Sequence, residues 1–195
     1  NPEVPPKPTR NIWKIAPGRK AKFWKQCRNQ NCVAIAWLRD KNYLDFNSSE
    51  EVRDALIDAG EKGGGASSIW HFSRHIKKHD VVVANKGRDR VVGMGIVTSD
   101  YIPPGDERTK DFALLLQDED DVDWHTPHAR QVKWLVRKEV EMPPNFFPIS
   151  TVTPLDGKQW EQIKGAYRTA YPDDPEIQKA LDTLDATTFN SQPPN

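Results

Sequence analysis

The order of apolar and polar positions predicts strands through the middle of this 195-residue chain, with helices inserted between them. Short alternating or continuous apolar runs predict a half-buried first strand at 11–18, further strands at 32–38 and 129–142, and a strand pair at 81–97. Apolar residues at helical spacing predict helices at 19–31, 48–60 and 68–79, one within 148–171, and a weaker one at 175–184. The pattern therefore favours an α+β fold built on a small mixed or barrel-like sheet.

The distribution of charge is strongly uneven, although the net charge is zero. No acidic residue occurs from Val4 to Arg39, a stretch that carries nine lysines and arginines. The acidic residues concentrate instead between Asp106 and Asp123. A dipolar surface of this kind can hold phosphates on its basic face while the whole protein stays neutral. A nucleic-acid partner is therefore compatible with the overall charge.

Composition and the chain ends indicate a soluble domain taken from a longer protein. No apolar run approaches the roughly 18 residues that a membrane helix needs, and no signal peptide is visible, so we expect a cytoplasmic protein without a membrane partner. Cys27 and Cys32 are too few for a disulfide framework or a four-ligand zinc site. The proline-bearing ends predict an N-terminal linker over 1–11, a domain with a C-terminal helical extension over 12–171, and a tail or linker over 172–195.

Two groups of histidines suggest chemistry other than simple binding. His71, His75 and His79 fall at i, i+4 and i+8, so on one continuous helix they would share a face, as metal ligands can. Neighbouring lysines and the lack of a completing carboxylate favour a solvated or phosphate-facing edge, and we expect no metal and no cofactor. His125 and His128 lie in an acidic loop, which leaves a small hydrolase as a hypothesis. No nucleophile motif, phosphate-binding loop or dinucleotide fingerprint accompanies them, so a non-catalytic domain is favoured.

Tryptophans and one asparagine favour a pocket for a planar base. Trp13 and Trp160 are most simply core residues, whereas Trp37 and Trp134 each end or interrupt a strand beside polar residues. A base held against an indole gains roughly 1 to 3 kcal/mol of stacking per aromatic partner. Asn85, at the end of an apolar strand, supplies an amide that could read a base edge through its donor and acceptor. The glycines in the next strand, at 93 and 95, would permit close backbone approach.

The order of several segments resembles the EVE-like branch of the PUA superfamily, especially the domains at the N-termini of McrB-like modification-dependent restriction proteins. The similar segments are "WKIAPG", "AKFW", "CVAIAW", "IWHFSRHIKKHDVVVANKG", "VVGMGIV" and "HARQVKWLV". The similarity runs from about Ile12 to Val136, and "WKIAPG" and "DVVVANKG…GMGIV" are its most specific pieces. Family members commonly have Gly-Asp before the second block, where this chain has His79-Asp80.

The resemblance implies a compact β-barrel flanked by helices, shared with YTH readers of methylated RNA, that takes one nucleobase into an aromatic pocket. It places Trp37 and Trp134 at pocket walls and Asn85 at the base edge, while Trp24 and Trp70 either join the pocket or pack beneath it. Backbone phosphates would be held by basic residues that fix register without reading sequence, namely Lys20, Lys22, Lys25, Arg28, Lys86 and Arg88.

The same resemblance implies a function and a set of partners. We expect a non-catalytic reader that flips a methylated base, adenine or cytosine, out of double-stranded DNA. The remainder of the protein would carry an effector domain, either an ATPase or GTPase motor or a nuclease. A YTH-like or PUA-like reader of modified RNA is the alternative, because the same pocket can take a base from a single strand.

Overall fold

A computed structural model describes residues 11–109 and 127–190, and within those ranges the chain forms seven strands and five α-helices. The strands are β1 (Ile12–Ile15), β2 (Cys32–Ile35), β3 (Val81–Lys86), β4 (Arg90–Val97), β5 (His128–Val136), β6 (Val140–Glu141) and β7 (Val152–Leu155). The helices are α1 (Trp24–Gln30), α2 (Ser49–Asp58), α3 (Ala66–Trp70), α4 (Gly157–Ala170) and α5 (Pro175–Asn190). None of the described helices is long and apolar enough to cross a membrane.

The strands form one curled, half-barrel sheet in the order β2-β5-β4-β3-β1-β7, with β6 paired to β4. β1 and β3 are parallel, with Ile12 opposite Val81, and the other named pairs are antiparallel. Helices flank this mixed sheet, so the predicted α+β class is confirmed. The predicted strand pair at 81–97 and the strand within 129–142 are confirmed as well.

Side chains alternate between two cores, one on each face of the central strands. On β3, Val82 and Ala84 belong to the first core, whereas Val81 and Val83 belong to the second. Residues of α1, α2 and α3 complete the first core, and residues of α4 and α5 complete the second. Burial on both faces explains why β3 is a continuous apolar run rather than an alternating one.

The first strand differs from its prediction, because β1 is buried throughout rather than half buried. It lies between β3 and β7, so neither edge is free, and both of its faces are covered. Lys14, the polar position of the expected alternation, is only 1% exposed. The pattern was correct about the strand but could not show that β7 and the segment before it would cover the Lys14 side.

Two predicted helices are shorter in the structure. The first half of 19–31 is a tight turn in which Lys20 and Ala21 have left-handed backbone angles, φ 53° and 55°, and α1 begins at Trp24. The segment 68–79 is α3 followed by a π-helical turn over 71–75, and the chain becomes extended at Ile76. The three histidines at 71, 75 and 79 therefore do not lie on one continuous helix.

His79 stands where the resembling family commonly has glycine, and its backbone explains that preference. Its φ is 77°, in the left-handed region that glycine adopts most easily. Asp80, the next residue, is buried and accepts hydrogen bonds from Trp13 Nε1 and the Lys77 amide, both at 2.9 Å. The turn before β3 therefore has histidine at a position whose backbone conformation favours glycine.

Gly93 and Gly95 do permit close approach, as expected from the sequence. A Cβ at Gly93 would lie 2.3 Å from Trp24 Cη2, and one at Gly95 would lie 2.5 Å from the Lys133 carbonyl oxygen on β5. Both distances are far inside normal contact, so any larger residue would force β4 away from its neighbours.

The C-terminal part of the described chain adds a strand and a helix to the sheet. β7 was not predicted, because it is short and contains Pro154, which an edge strand tolerates. α5 occupies much of the segment expected to be a tail or linker, and Ile177, Leu181 and Leu184 are buried in the second core. The predicted helix at 175–184 is confirmed by α5.

Candidate binding cavity

A cavity of about 850 Å³ opens where the carboxyl ends of β1 and β3 meet the start of β7. Because β1 and β3 are parallel, the residues that follow them lie at the same edge of the sheet. The cavity is lined by four segments of the chain, within 14–20, 35–40, 85–88 and 148–151, together with Ala59 and Glu61. Its volume is within the range of about 300 to 1,000 Å³ usual for small-molecule sites.

The polar floor of the cavity follows from the alternation along β3 and β1. One face of β3 carries Val81 and Val83, and Asn85 lies on the same face, opposite Val91 of the second core. Lys14 lies opposite Val83 in the parallel register with β1. Asn85 and Lys14 therefore lie on the same face of the sheet as the second core, and both line the cavity.

Asn85 carries an unpaired acceptor. Its side chain is 4% exposed, and its Nδ2 donates to the Gly87 carbonyl oxygen at 2.7 Å. A carbonyl oxygen can only accept, so this contact fixes which end of the amide is nitrogen. Asn85 Oδ1 is buried and has no hydrogen-bond partner among the described residues. An orphaned buried acceptor costs about 1 to 3 kcal/mol, which a bound donor would recover.

Lys14 brings a buried ammonium group to the same floor. Its Nζ donates to the carbonyl oxygens of Pro148 and Ser150. Burial, reinforced by the positive charge of Arg88, lowers the pKa of Lys14 from 10.5 to about 8. The ammonium form predominates below that pH, and it has three N–H donors.

Trp37 lines the cavity and is partly buried, with its ring packed against the first core. Gly65 lies against its ring, since a Cβ at Gly65 would be 3.0 to 3.3 Å from three ring carbons. Ile149, which is 83% exposed, is a second apolar residue of the lining. The cavity thus combines an indole and an aliphatic side chain with a polar floor.

A buried cluster of rings holds the backbone at Trp37 and Leu38. The Tyr43 hydroxyl donates to the Trp37 carbonyl oxygen at 2.5 Å, and His128 Nε2 donates to the Leu38 carbonyl oxygen at 3.1 Å. His128 Nδ1 lies 2.5 Å from the Tyr101 hydroxyl, and its ring stacks on Tyr43 with 3.5 Å between centroids. Burial lowers the pKa of His128 from 6.5 to about 3, so the ring is neutral. Leu38 is held in a left-handed conformation, φ 52°.

Cations outnumber anions around the cavity. Its lining contains five basic residues, Lys14, Arg19, Lys20, Arg39 and Arg88, against two acids, Asp40 and Glu61. The difference of 5 − 2 gives a formal charge of +3 at neutral pH. Arg88 is fixed by donating to the Phe147 carbonyl oxygen at 2.9 Å and to Asn145 Oδ1 at 3.0 Å. This field attracts an anion, such as a phosphate, to the mouth of the cavity.

The structure separates the tryptophans that were grouped by prediction. Trp37 joins Asn85 at the cavity, but Trp134 is 5% exposed and lies in the first core, where its Nε1 donates to the Cys27 carbonyl oxygen at 3.1 Å. Trp24 packs edge-to-face against Trp134, with ring centroids 4.7 Å apart. Trp70 packs on the first core under the guanidinium of Arg74, outside the cavity lining.

The predicted phosphate contacts also divide. Lys20 and Arg88 line the cavity. Lys22, Lys25 and Lys86 are exposed outside that lining, and Arg28 is partly buried near the end of α1. Lys86 lies at the end of β3, beside Asn85, whereas the α1 residues follow the turn that contains Lys20. The basic surface therefore reaches the cavity through the turn at 19–21 and the hairpin at 86–90.

The histidine hypotheses gain little from the geometry. His71 and His75 face each other with 2.9 Å between their Nδ1 atoms, and within the described ranges no cluster of three or more His, Cys, Asp or Glu could hold a metal ion. His128 is buried with both ring nitrogens engaged. His125 lies outside the described residues. Cys27 and Cys32 are buried free thiols, as expected.

Sequence reasoning missed Lys14, Gly65 and the ring cluster of Tyr43, Tyr101 and His128. A signal existed for Lys14, a charged residue inside the short apolar run "IWKIA". The ring cluster had none, because its members come from three distant segments that the fold brings together.

Comparison with known proteins gives distant structural similarities. The YTH domain of the Zygosaccharomyces rouxii MRB1 protein, solved in complex with N6-methyladenosine RNA, is similar at 10% identity, covering 86% of this chain and 93% of that one, with a TM-score of 0.44. Protein Atu2648 from Agrobacterium tumefaciens is similar at 15% identity, covering 95% and 99%, with a TM-score of 0.35. No curated protein matches the chain. A family model does match residues 13–156, and the chain belongs to that family, described as a domain of unknown function, DUF8426.

Proposed function

We propose that this domain is a non-catalytic reader that binds a modified nucleobase in the cavity between β1, β3 and β7. The observation that carries the proposal is the buried Oδ1 of Asn85, which has no partner among the described residues, in the same cavity as the partly exposed indole of Trp37. A planar base with an amino or ring N–H group supplies the missing donor and the stacking surface together.

The cations at the cavity support a ligand that carries phosphate. Arg19, Lys20 and Arg88 line the cavity and would contact the backbone on either side of the bound nucleotide. Such contacts add affinity without reading sequence, and salt weakens them. The +3 lining also explains how a protein of zero net charge can bind a polyanion.

We propose double-stranded DNA with a methylated base as the target, and the resemblance of the sequence motifs to restriction-associated EVE-like domains supports this choice. Extruding a base costs a few kcal/mol, which stacking on Trp37 and the Asn85 hydrogen bond would offset. The domain would then be the recognition part of a protein whose effector is a motor or nuclease domain. Modified RNA is the second candidate, since a single-stranded base enters without the cost of extrusion.

Fluorescence anisotropy with labelled oligonucleotides tests the proposal. Duplex DNA, single-stranded DNA and RNA would be compared, each unmodified or carrying one N6-methyladenine or 5-methylcytosine. We expect tighter binding to a modified duplex than to its unmodified counterpart. Preference for modified RNA would support the second candidate instead, and no preference for any modified base would refute the reader function.

A tryptophan pair provides the matched variants. Trp37→Ala is expected to weaken binding to the modified oligonucleotide by about 1 to 3 kcal/mol, because a stacking surface is lost. Trp70→Ala removes a partly buried indole outside the cavity and should leave the affinity close to wild type. Equal effects of the two substitutions would show that Trp37 does not contact the base.

A further inference from the structure

The cavity floor presents hydrogen-bonding groups of fixed and opposite polarity. Asn85 Oδ1 can only accept, and the contact of Nδ2 with Gly87 prevents the amide from turning over. The Lys14 ammonium can only donate. Pro148 and Ser150 are its acceptors among the described residues, so two of its three N–H groups are used and one is left for a ligand.

Hydrogen bonds to backbone carbonyl oxygens hold both the Asn85 amide and the Lys14 ammonium in place. Asn85 and Lys14 are 4% and 1% exposed, and they lie on neighbouring parallel strands with their side chains on the same face of the sheet. The backbone carbonyls before β7 anchor Lys14, and the hairpin carbonyl anchors Asn85. A ligand must therefore match the floor, because the floor is not free to rearrange to match the ligand.

We propose that Lys14 and Asn85 select the chemical class of modification: the bound base must keep a donor for Asn85 Oδ1 and an acceptor for Lys14 Nζ on its hydrogen-bonding edge. This inference rests on the proposed function of the cavity. A methyl group on ring carbon, or a single methyl on an exocyclic amine, leaves both groups in place. Two methyls on the amine remove the donor for Asn85, and a methyl on the ring nitrogen of that edge removes the acceptor for Lys14.

Electrostatics reinforces the second exclusion. Adenine methylated at N1 and cytosine methylated at N3 carry a positive charge at neutral pH. Lys14 would face that charge directly, and Arg19, Lys20, Arg39 and Arg88 also line the cavity. Asp40 and Glu61, the acids of the lining, leave a formal charge of +3. A cationic base would therefore meet repulsion as well as an unsatisfied ammonium donor.

The test uses the wild-type protein and one oligonucleotide sequence, in whichever nucleic acid binds, with a single adenine changed to N6-methyl, N6,N6-dimethyl or N1-methyl adenine. We expect the dimethyl and N1-methyl forms to bind at least about tenfold more weakly than the N6-methyl form, the loss usual for one buried hydrogen bond. Equal affinity for all three forms would overturn the inference while leaving the reader function intact. Failure of every oligonucleotide to bind would refute the proposed function itself.

Two variants separate hydrogen bonding from simple crowding. Asn85→Leu keeps the size of the side chain but removes the acceptor, so the preference for N6-methyl over N6,N6-dimethyl adenine should shrink to about twofold or less. A preference that persists in folded Asn85→Leu would show steric exclusion and overturn the role of Asn85. Lys14→Met should likewise reduce discrimination against N1-methyl adenine, and Lys158→Ala, an exposed cation on α4, is the control that should change neither ratio.

Circular dichroism and thermal melts would establish that each variant is folded. If Lys14→Met does not fold, the comparison of the three adenines on the wild-type protein still decides the inference, because it requires no substitution.

Discussion

Replacing His128 with glutamine should remove a large part of the acid sensitivity of this fold. His128 is fully buried against Tyr43 and Tyr101, and its neutral ring donates from Nε2 to the Leu38 carbonyl oxygen. Protonation would put a second donor against the Tyr101 hydroxyl, which could then no longer donate to Nδ1. Burial, which disfavours the charged ring, lowers the pKa of His128 from 6.5 to about 3.

The magnitude follows from this difference in pKa between the folded and unfolded chain. Above 6.5 neither state is protonated, so the histidine contributes its full stability; as pH falls towards 3, only the unfolded chain takes up the proton. With about 1.4 kcal/mol per pKa unit, His128 should reduce the free energy of unfolding by about 3 kcal/mol between about pH 7 and about pH 4.

Urea denaturation at a series of pH values measures this difference. His128→Gln cannot titrate, so its free energy of unfolding should fall by about 3 kcal/mol less than that of the wild type over the same range, although it starts lower because the ring stack is lost. Parallel pH profiles for wild type and His128→Gln would mean that the pKa of His128 does not differ between the folded and unfolded chain, and the reasoning would fail.

Substitutions at two tryptophans and two glycines test the packing around the cavity. Trp134→Ala should lower the free energy of unfolding by about 3 to 5 kcal/mol, because it empties a buried site beside Trp24. Trp37→Ala should lower it by less, because the Trp37 ring is only partly buried, and thermal and urea unfolding would measure both. Gly93→Ala should destabilise the fold by at least about 1 kcal/mol, because its Cβ would meet the Trp24 ring at 2.3 Å. Gly64→Ala, with no atom within 4 Å of the added carbon, should be neutral by the same measurement, and an equal loss from both glycine variants would contradict this account.

The sequence alone was sufficient for the elements whose signal is local. The helix predicted at 48–60 is α2, which begins where the Ser48 side chain accepts from the Glu51 amide. The predicted strand pair is the hairpin of β3 and β4, which turns at Gly87 with φ 62°. β7 could not be predicted, because four residues with a central proline form a strand only when β1 is already there to pair with them. The helix predicted over 19–31 was wrong in its first turn, because Lys20 and Ala21 have left-handed backbone angles that a right-handed helix does not contain.

The cavity shows the same division between local and distant causes. Asn85 and Trp37 could be selected because an amide at the end of an apolar strand, and an indole at a strand end beside polar residues, are visible in the sequence itself. Trp134 could not be told from Trp37 in this way, since alternation assigns it to a face of β5 but not to what covers that face, which is α1. The alternating pattern predicted a half-buried strand with Lys14 at a polar position. In the structure the Lys14 ammonium is buried because it donates to the carbonyl oxygens at 148 and 150, which are distant in the sequence.

The position of β1 between β3 and β7 sets the stage of synthesis at which the cavity can be completed. β1 is made first, yet its hydrogen-bonding partners begin only at Val81 and Val152. Strand pairings between such distant segments form slowly, and a nascent chain must carry β1 with unpaired edges in the meantime. The Lys14 anchors at 148 and 150 emerge just before β7. A nascent chain that has not yet reached β7 therefore has no completed cavity.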